Sequence, residues 1–145
     1  MSDRQPSTPE PQTEWPVIHT YTRAEALADG VLVDVTTTAR EAGFKVPTAV
    51  TAAVFDECIE WTESDAQLSR THQDQEGRLW DVVYLAAFKA RTLAKRGVRQ
   101  NQVIFELDVV PRPGRTHRRR RTLKLVMGPG DNHDPVATIM LPHED

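Results

Sequence analysis

The chain has 145 residues, 39% of them hydrophobic, and a formal net charge of −3. This length favours one domain with a core large enough to fold without a metal or disulfides. The single cysteine, Cys58, excludes an internal disulfide, and no apolar run approaches the roughly 20 residues needed to cross a bilayer. The sequence shows no signal-peptide pattern of a basic start and an apolar stretch. Composition therefore predicts a cytoplasmic protein without membrane contact.

Charge is strongly segregated along the chain. Between Lys89 and Lys124 there are twelve Lys or Arg residues and only two acids, Glu106 and Asp108, so the rest of the chain is acidic. Four consecutive arginines, Arg118–Arg121, are the densest part of the basic region. Segregation of this kind gives one face for polyanions and another for basic partners. It indicates a binding role and specifies no reaction.

The first residues of the chain differ in composition from the rest. Residues 1–16 are rich in proline and poor in apolar side chains, so we predict a disordered tail. Residues 17–145 are predicted to form a single α+β domain. Thr22 and Glu25 have the spacing of a capping box, which predicts a helix over residues 23–28. A second short helix is expected over residues 38–42.

A third helix is expected over residues 52–61, where Thr51 is placed to cap it. Its apolar stripe recurs at i, i+4 and i+7 and contains Val54, Cys58 and Trp61. We interpret Cys58 as a small core residue, because no base lies near it in sequence to activate a thiol. Residues 62–76 are predicted to be a polar, acidic loop.

The clearest helical pattern covers residues 78–95. Its apolar residues form one stripe, consisting of Leu79, Val82, Val83, Ala86 and Ala90. Three aromatic residues, Trp80, Tyr84 and Phe88, recur at spacings of four and are predicted to add bulk to that stripe. We expect the stripe to pack on a sheet face that carries Leu123 and Leu125, with Trp80 buried.

Strand patterns follow this helix. Apolar residues alternate with others over residues 103–110, and shorter strand patterns cover residues 122–127 and 135–141. Short connections between consecutive strands favour an antiparallel meander. The predicted fold is therefore α+β, with N-terminal helices packed on a C-terminal three-stranded antiparallel sheet.

The acidic part of the chain is one candidate binding region. Its carboxylates are expected on the exposed side of the third helix and in the loop after it, and the predicted protein-binding residues are Asp56, Glu57, Glu60, Glu63 and Asp65. Such an array imitates the phosphates of a nucleic acid toward a basic groove. An ordinary solvated face is the competing interpretation.

The basic part is the other candidate region. Arginine presents a rigid fork of donors that matches phosphate oxygens, so the predicted nucleic-acid-binding residues are Arg115, Arg118, Arg119, Arg120, Arg121 and Lys124. Alternation along a strand sends neighbouring side chains to opposite faces, which argues against one flat patch. The competing interpretation is a solvated hairpin tip that discourages edge-to-edge pairing.

The sequence contains no motif for catalysis, a cofactor or a metal. Gly128–Asp131 lacks the Lys-Ser/Thr ending and following helix of a phosphate-binding loop, so we interpret it as a turn. Asp131, His133 and Asp134 lie too close in one loop to predict a cation site. We therefore predict no catalytic residues, no cofactor and no metal.

Several segments resemble a family of small bacterial proteins of unknown function carried by plasmids, integrative elements and phages, often described as plasmid-related proteins. The matching segments are 21–24, 29–34, 39–45, 77–82, 123–125, 128–131 and 138–140. Together they extend over residues 17–145 in the same order. The resemblance implies a setting on mobile genetic elements and brings no catalytic residue.

That setting suggests a class of function. Our leading hypothesis is a non-enzymatic accessory protein of a mobile element, an anti-defence inhibitor of the anti-CRISPR or anti-restriction type. It would act by binding a host protein or nucleoprotein complex. The alternative is a nucleic-acid-binding accessory or regulatory protein that uses the basic β-hairpin. The identity of the partner and the oligomeric state stay open.

Overall fold

The computed structural model describes residues 21–69, 73–112 and 118–145, and the predicted tail over residues 1–16 lies outside them. Helices and strands are interleaved along the described chain. Their order is α1 (Arg23–Ala28), β1 (Leu32–Asp34), α2 (Thr36–Ala42), β2 (Thr48–Thr51), α3 (Ala52–Val54), the π-helical turn Phe55–Ile59, α4 (Glu63–Leu68), α5 (Gln75–Lys95), β3 (Gln102–Val109), β4 (Arg119–Pro129) and β5 (Pro135–Met140).

The strands form one five-stranded mixed sheet in the order β1-β2-β5-β4-β3. The C-terminal strands pair antiparallel, β3 with β4 and β4 with β5. β2 pairs parallel with β5, with Val50 opposite Ile139, and β1 pairs antiparallel with β2. The last strand therefore joins an early strand to the C-terminal hairpin.

The fold prediction is correct for the α+β class and wrong for the architecture. The sheet has five strands and is mixed, whereas three antiparallel strands were predicted. The helices do not all precede the sheet, because α5 follows β2 and precedes β3. Two properties explain why no strand was predicted over β1 and β2. β1 has only three residues, and β2 is buried at all four positions. A strand buried on both faces shows no alternation of apolar and polar residues.

The main core lies between α5 and one face of the sheet. Val82 and Val83 of α5 belong to the same buried cluster as Leu123 and Leu125 of β4, which confirms the predicted packing of that stripe. In β3, the residues of one face are buried and those of the other are exposed. This alternation is the period of two that a strand covered on one side requires.

The first helix begins as its capping box predicts. The Thr22 hydroxyl accepts a hydrogen bond from the Glu25 N–H (3.0 Å), and the Glu25 carboxylate accepts one from the Thr22 N–H (2.9 Å). Asp131 also stabilises the first turn of α1, because its carboxylate accepts hydrogen bonds from the N–H groups of Arg23 and Ala24. These bonds hold the turn before β5 against α1, and they lower the pKa of Asp131.

The predicted third helix ends at Ile59 instead of residue 61, and its second half is a π-helical turn, which has a larger diameter than an α-helix. Thr51 caps it through the N–H of Val54, and the N–H of Glu60 then donates to the carbonyl of Phe55 (2.8 Å). That i to i+5 bond is the mark of a π-helical turn. The turn places Cys58 and Ile59 in the core, so the interpretation of Cys58 as a core residue is confirmed.

Part of the predicted acidic loop is helical. Thr62 and Asp65 form a second capping box, with the Asp65 carboxylate accepting from the Thr62 N–H (2.8 Å). α4 begins there, and α5 starts at Gln75, before the predicted residue 78. The aspartate at N3, in place of the usual Glu or Gln, concealed the box. Among the helices of the described residues, none combines the length and apolar character that crossing a membrane requires.

Candidate protein-binding surface

The predicted acidic residues gather around one arginine that precedes the basic run. The Arg112 Nε lies 2.6 Å from the Asp65 carboxylate, and its Nη1 lies 3.4 Å from Asp56 and 3.3 Å from Glu60. Three of the five predicted protein-binding acids therefore share one internal cation. The sequence alone did not predict this cluster, because Arg112 is almost 50 residues from Asp65.

Asp65 is a structural part of that cluster. Its residue is 2% exposed, and burial by itself would raise the pKa of its carboxyl. Hydrogen bonds from the Thr62 backbone and from Arg112 outweigh burial and lower the pKa instead. Asp65 therefore stays ionised and joins α4 to the segment after β3.

The other two acids have different surroundings. Glu57, with Asp56, Arg112 and Arg121, lines a recess of about 300 Å³, whereas Glu63 is exposed in the first turn of α4. The acidic surface is thus a mixture of carboxylates and guanidinium groups. Such a surface imitates a phosphate array less well than uncompensated acids do. The role of these acids in binding stays a prediction.

The basic run divides between the two faces of the sheet. Arg119 and Arg121 lie on the face of Leu123, and Arg120 and Lys124 lie on the opposite face, as strand alternation requires. Arg120 is 3.1 Å from Asp108 and 3.5 Å from Glu106 on the neighbouring strand, while the exposed Arg118 precedes β4. Arg115 lies outside the described residues. The run therefore does not form one continuous basic patch.

Arg78 is a buried cation that sequence reasoning missed. Its Nε donates to the Ile59 carbonyl and its Nη1 to the Val110 carbonyl, both at 3.0 Å. The guanidinium carbon lies 4.9 Å from the centre of the Trp61 ring, and burial lowers the pKa of the group. Arg78 thus fastens the start of α5 to the π-helical turn and to the end of β3.

Three aromatic residues form an exposed stripe along α5, which we call the aromatic stripe: Trp80, Tyr84 and Phe88. Their exposed fractions are 37%, 40% and 52%. The rings of Trp80 and Tyr84 are stacked with centres 5.6 Å apart, and those of Tyr84 and Phe88 with centres 6.3 Å apart. The prediction that Trp80 is buried is therefore wrong.

Helical geometry explains the exposure of the stripe. Trp80, Tyr84 and Phe88 repeat every four residues, as do the buried Val82 and Ala86. The two series differ by two positions, or about 200° around the helix axis. They therefore lie on opposite sides of α5. This spacing is readable in the sequence, although the large apolar area of aromatic residues usually favours burial.

The aromatic stripe continues into a groove at the edge of the sheet. The groove has a volume of about 520 Å³ and is lined by Leu85, Phe88 and Lys89 of α5 together with Ile104, Phe105 and Glu106 of β3. Ile104 is half-exposed. Contiguous exposed apolar area of this kind marks interaction sites on soluble proteins. The stripe and groove together are the candidate protein-binding surface.

A second apolar feature lies at the other end of α5. This cleft has a volume of about 740 Å³, and its apolar lining includes Phe44, Val46, Leu93, Val98 and Met127. Lys45 and Arg99 also line it. The cleft gives a partner additional apolar contact area beside positive charge.

Two observations concern reactive groups among the described residues. Burial raises the pKa of the Cys58 thiol to about 11, so the thiol is protonated at neutral pH and is not a nucleophile. Within residues 21–69, 73–112 and 118–145, no three His, Cys, Asp or Glu side chains are grouped to hold a metal ion.

Comparison with known proteins gives a family. No curated protein and no solved structure matches the chain. A family model described as a family of unknown function (DUF6573) matches residues 13–145. That description names no activity, so any function must be argued from the surfaces described above. Because the match extends over most of the sequence, the chain belongs to the family of unknown function DUF6573.

Proposed function

We propose that the chain is a non-enzymatic, cytoplasmic protein-binding protein of a mobile genetic element, and that it inhibits a host defence complex of the CRISPR or restriction type. The observation that carries the protein-binding part is the aromatic stripe, which exposes three rings on one side of α5. The resemblance to plasmid- and phage-borne proteins supports the mobile-element setting. The defence complex is the target class that this setting favours.

The aromatic stripe has the properties of a binding hot spot. Tyr and Trp are enriched among the residues that dominate interface energetics, because each buries a large apolar area with few rotatable bonds. Stacking of Trp80 on Tyr84 and of Tyr84 on Phe88 fixes the ring orientations before a partner arrives. A preorganised surface loses less conformational entropy on binding.

The acidic residues have a supporting part in this proposal. Asp56 and Glu60 are paired with Arg112, so their charges are partly compensated within the protein. Charges at the rim of an interface chiefly change the association rate. We therefore assign the affinity to the aromatic stripe and the attraction of a basic partner to the acids.

The nucleic-acid alternative has weaker support. Its best feature is the exposure of Arg118, which precedes β4, and of Arg119, which begins it. Against it, Arg120 is paired with two acids and the run divides between two faces. A nucleic-acid backbone is best followed by cations that share one groove.

The test is a defence assay in cells. Cells with a defined CRISPR or restriction system would express the native protein, and the efficiency of plaque formation or transformation would be measured. We expect the native protein to restore efficiency, and the triple variant Trp80→Ser, Tyr84→Ser, Phe88→Ser to lose this activity. Counting only two of the three rings as hot-spot contacts of about 2 kcal/mol each, the variant should lose roughly 1000-fold in affinity.

A matched control replaces three exposed apolar residues elsewhere with serine: Leu27, Val31 and Leu68. This control should keep full inhibition, and both triple variants should remain folded and unfold cooperatively in urea, because all six positions are exposed. Inhibition by the stripe variant at the native level would refute the role of the stripe. Absence of inhibition by the native protein across several defence systems would refute the anti-defence target.

A further inference from the structure

Over residues 21–69, 73–112 and 118–145, the sheet ends in a long edge strand that no other described strand covers. β3 is at the end of the strand order and, within the described residues, pairs with β4 alone. The N–H of Met127 donates to the carbonyl of Asn101, and these two residues are opposite each other when the β3–β4 register is extended by one pair. Hydrogen-bonded pairs alternate along an antiparallel ladder. The backbone groups of Gln102, Ile104, Glu106 and Asp108 therefore point away from β4.

These outward groups are largely unused. The Asp108 carbonyl accepts a long bond of 3.5 Å from Arg118. For Gln102, Ile104 and Glu106, no hydrogen bond from the outward N–H or carbonyl to another described residue is present. Three consecutive outward positions thus offer the donors and acceptors that an added strand requires.

In the described part of the chain, β3 has few of the devices that usually protect an edge. It has eight residues without proline, lysine or a bulge, because its register with β4 is continuous. The opposite edge of the sheet is β1, which has only three residues. Natural sheets protect their edges with short strands, charges or covering elements. The charges present on β3, Glu106 and Asp108, are compensated by Arg120.

We propose that the β3 edge binds the β3 edge of a second copy of this chain, which joins the two sheets into one antiparallel ten-stranded sheet. The register follows from charge. A two-fold axis at Ile104 places Ile104 opposite itself and Gln102 opposite Glu106 of the other copy. An axis at Glu106 would place the Glu106 carboxylates of the two copies opposite each other. An axis at Phe105 would place Ile104 of one copy opposite Glu106 of the other. Only the first register pairs apolar with apolar and polar with polar.

The groove beside β3 extends this contact. A two-fold axis perpendicular to the sheet keeps both α5 helices on the same face. Phe88 and Ile104 line one groove, so the two Phe88 side chains approach each other at the junction. Their burial adds apolar area to the strand pairing, toward the roughly 800 Å² per partner of a stable interface. The dimer covers Phe88 and the groove, so Trp80 and Tyr84 are the part of the aromatic stripe that stays available to a different partner.

The first experiment measures mass by sedimentation or light scattering as a function of concentration. The native protein should be a dimer. Ile104→Lys places two ammonium groups opposite each other at the axis and should raise the dissociation constant at least about 100-fold. Because Ile104 is half-exposed, the substitution leaves the core intact. Val31→Lys, at an equally exposed apolar position on the far side, should leave the dimer unchanged.

A second experiment tests the register directly. Opposed residues of an antiparallel pair have Cα atoms about 5.5 Å apart, so Ile104→Cys should give a covalent dimer with a short bis-maleimide, and Val31→Cys should not. Buried Cys58 is protonated at neutral pH and should not react. A native protein that is monomeric up to about 100 µM, or a dimer that survives Ile104→Lys, would overturn the proposal. A monomer that binds an extended peptide at β3 would replace it by strand addition from another protein.

Discussion

Replacing Arg78 by alanine should lower the free energy of unfolding by about 3–5 kcal/mol. The substitution removes the donors to two buried carbonyls, those of Ile59 and Val110, and each carbonyl left without a partner costs about 1–3 kcal/mol. It also removes the guanidinium from the ring of Trp61. Chemical denaturation in urea, with circular dichroism as the signal, measures the change.

Two further variants separate this role from general effects of charge. Arg78→Lys keeps the charge but presents a single ammonium, which cannot reach both carbonyls with the fork geometry of a guanidinium, so its loss should approach that of alanine. Arg99→Ala removes an exposed arginine and should change stability by less than about 0.5 kcal/mol. A loss below about 1 kcal/mol for Arg78→Ala would show that Arg78 is not a structural anchor.

Truncation of Leu125 should destabilise the protein more than truncation of the larger Trp80. Leu125 is almost fully buried in the central cluster, and Leu→Ala in a core costs about 2–5 kcal/mol. Trp80 is an exposed member of the aromatic stripe, so Trp80→Ala should cost about 1 kcal/mol, mainly from lost stacking on Tyr84. Urea midpoints for the two variants measure the difference.

The order of these two losses is the critical result. A larger loss for Trp80→Ala than for Leu125→Ala would mean that Trp80 is buried and that α5 is rotated about its axis. The binding of a partner to the aromatic stripe would then lose its structural basis.

Local signals in the sequence predicted much of the secondary structure. The capping box at Thr22 and the alternation in β3 each specify one element through neighbouring residues, and both predictions agree with the structure. The pairing of β2 with β5 depends on residues about 90 positions apart. No local pattern encodes that contact, and the four buried residues of β2 show no alternation.

The candidate surfaces were predictable to different degrees. Arg112 neutralises acids that lie far from it in sequence, so their internal pairing was invisible without the fold. The aromatic stripe, in contrast, was encoded by its spacing relative to Val82 and Ala86. Aromatic side chains of this size are usually buried, but their position on α5 places them in solvent. Exposed aromatic residues contradict the usual pattern of burial, and such contradictions are expected at functional surfaces.

The most direct test of the central claim is photo-crosslinking from the aromatic stripe in host cells. Benzoylphenylalanine at position 84 replaces Tyr84 by a larger aromatic group, and irradiation followed by mass spectrometry identifies the neighbouring protein. We predict one abundant host-protein adduct from position 84, and none from the same group at Val31. The absence of a host-protein adduct from position 84, together with an adduct from the position of Glu57, would contradict the account and return the binding role to the acidic residues.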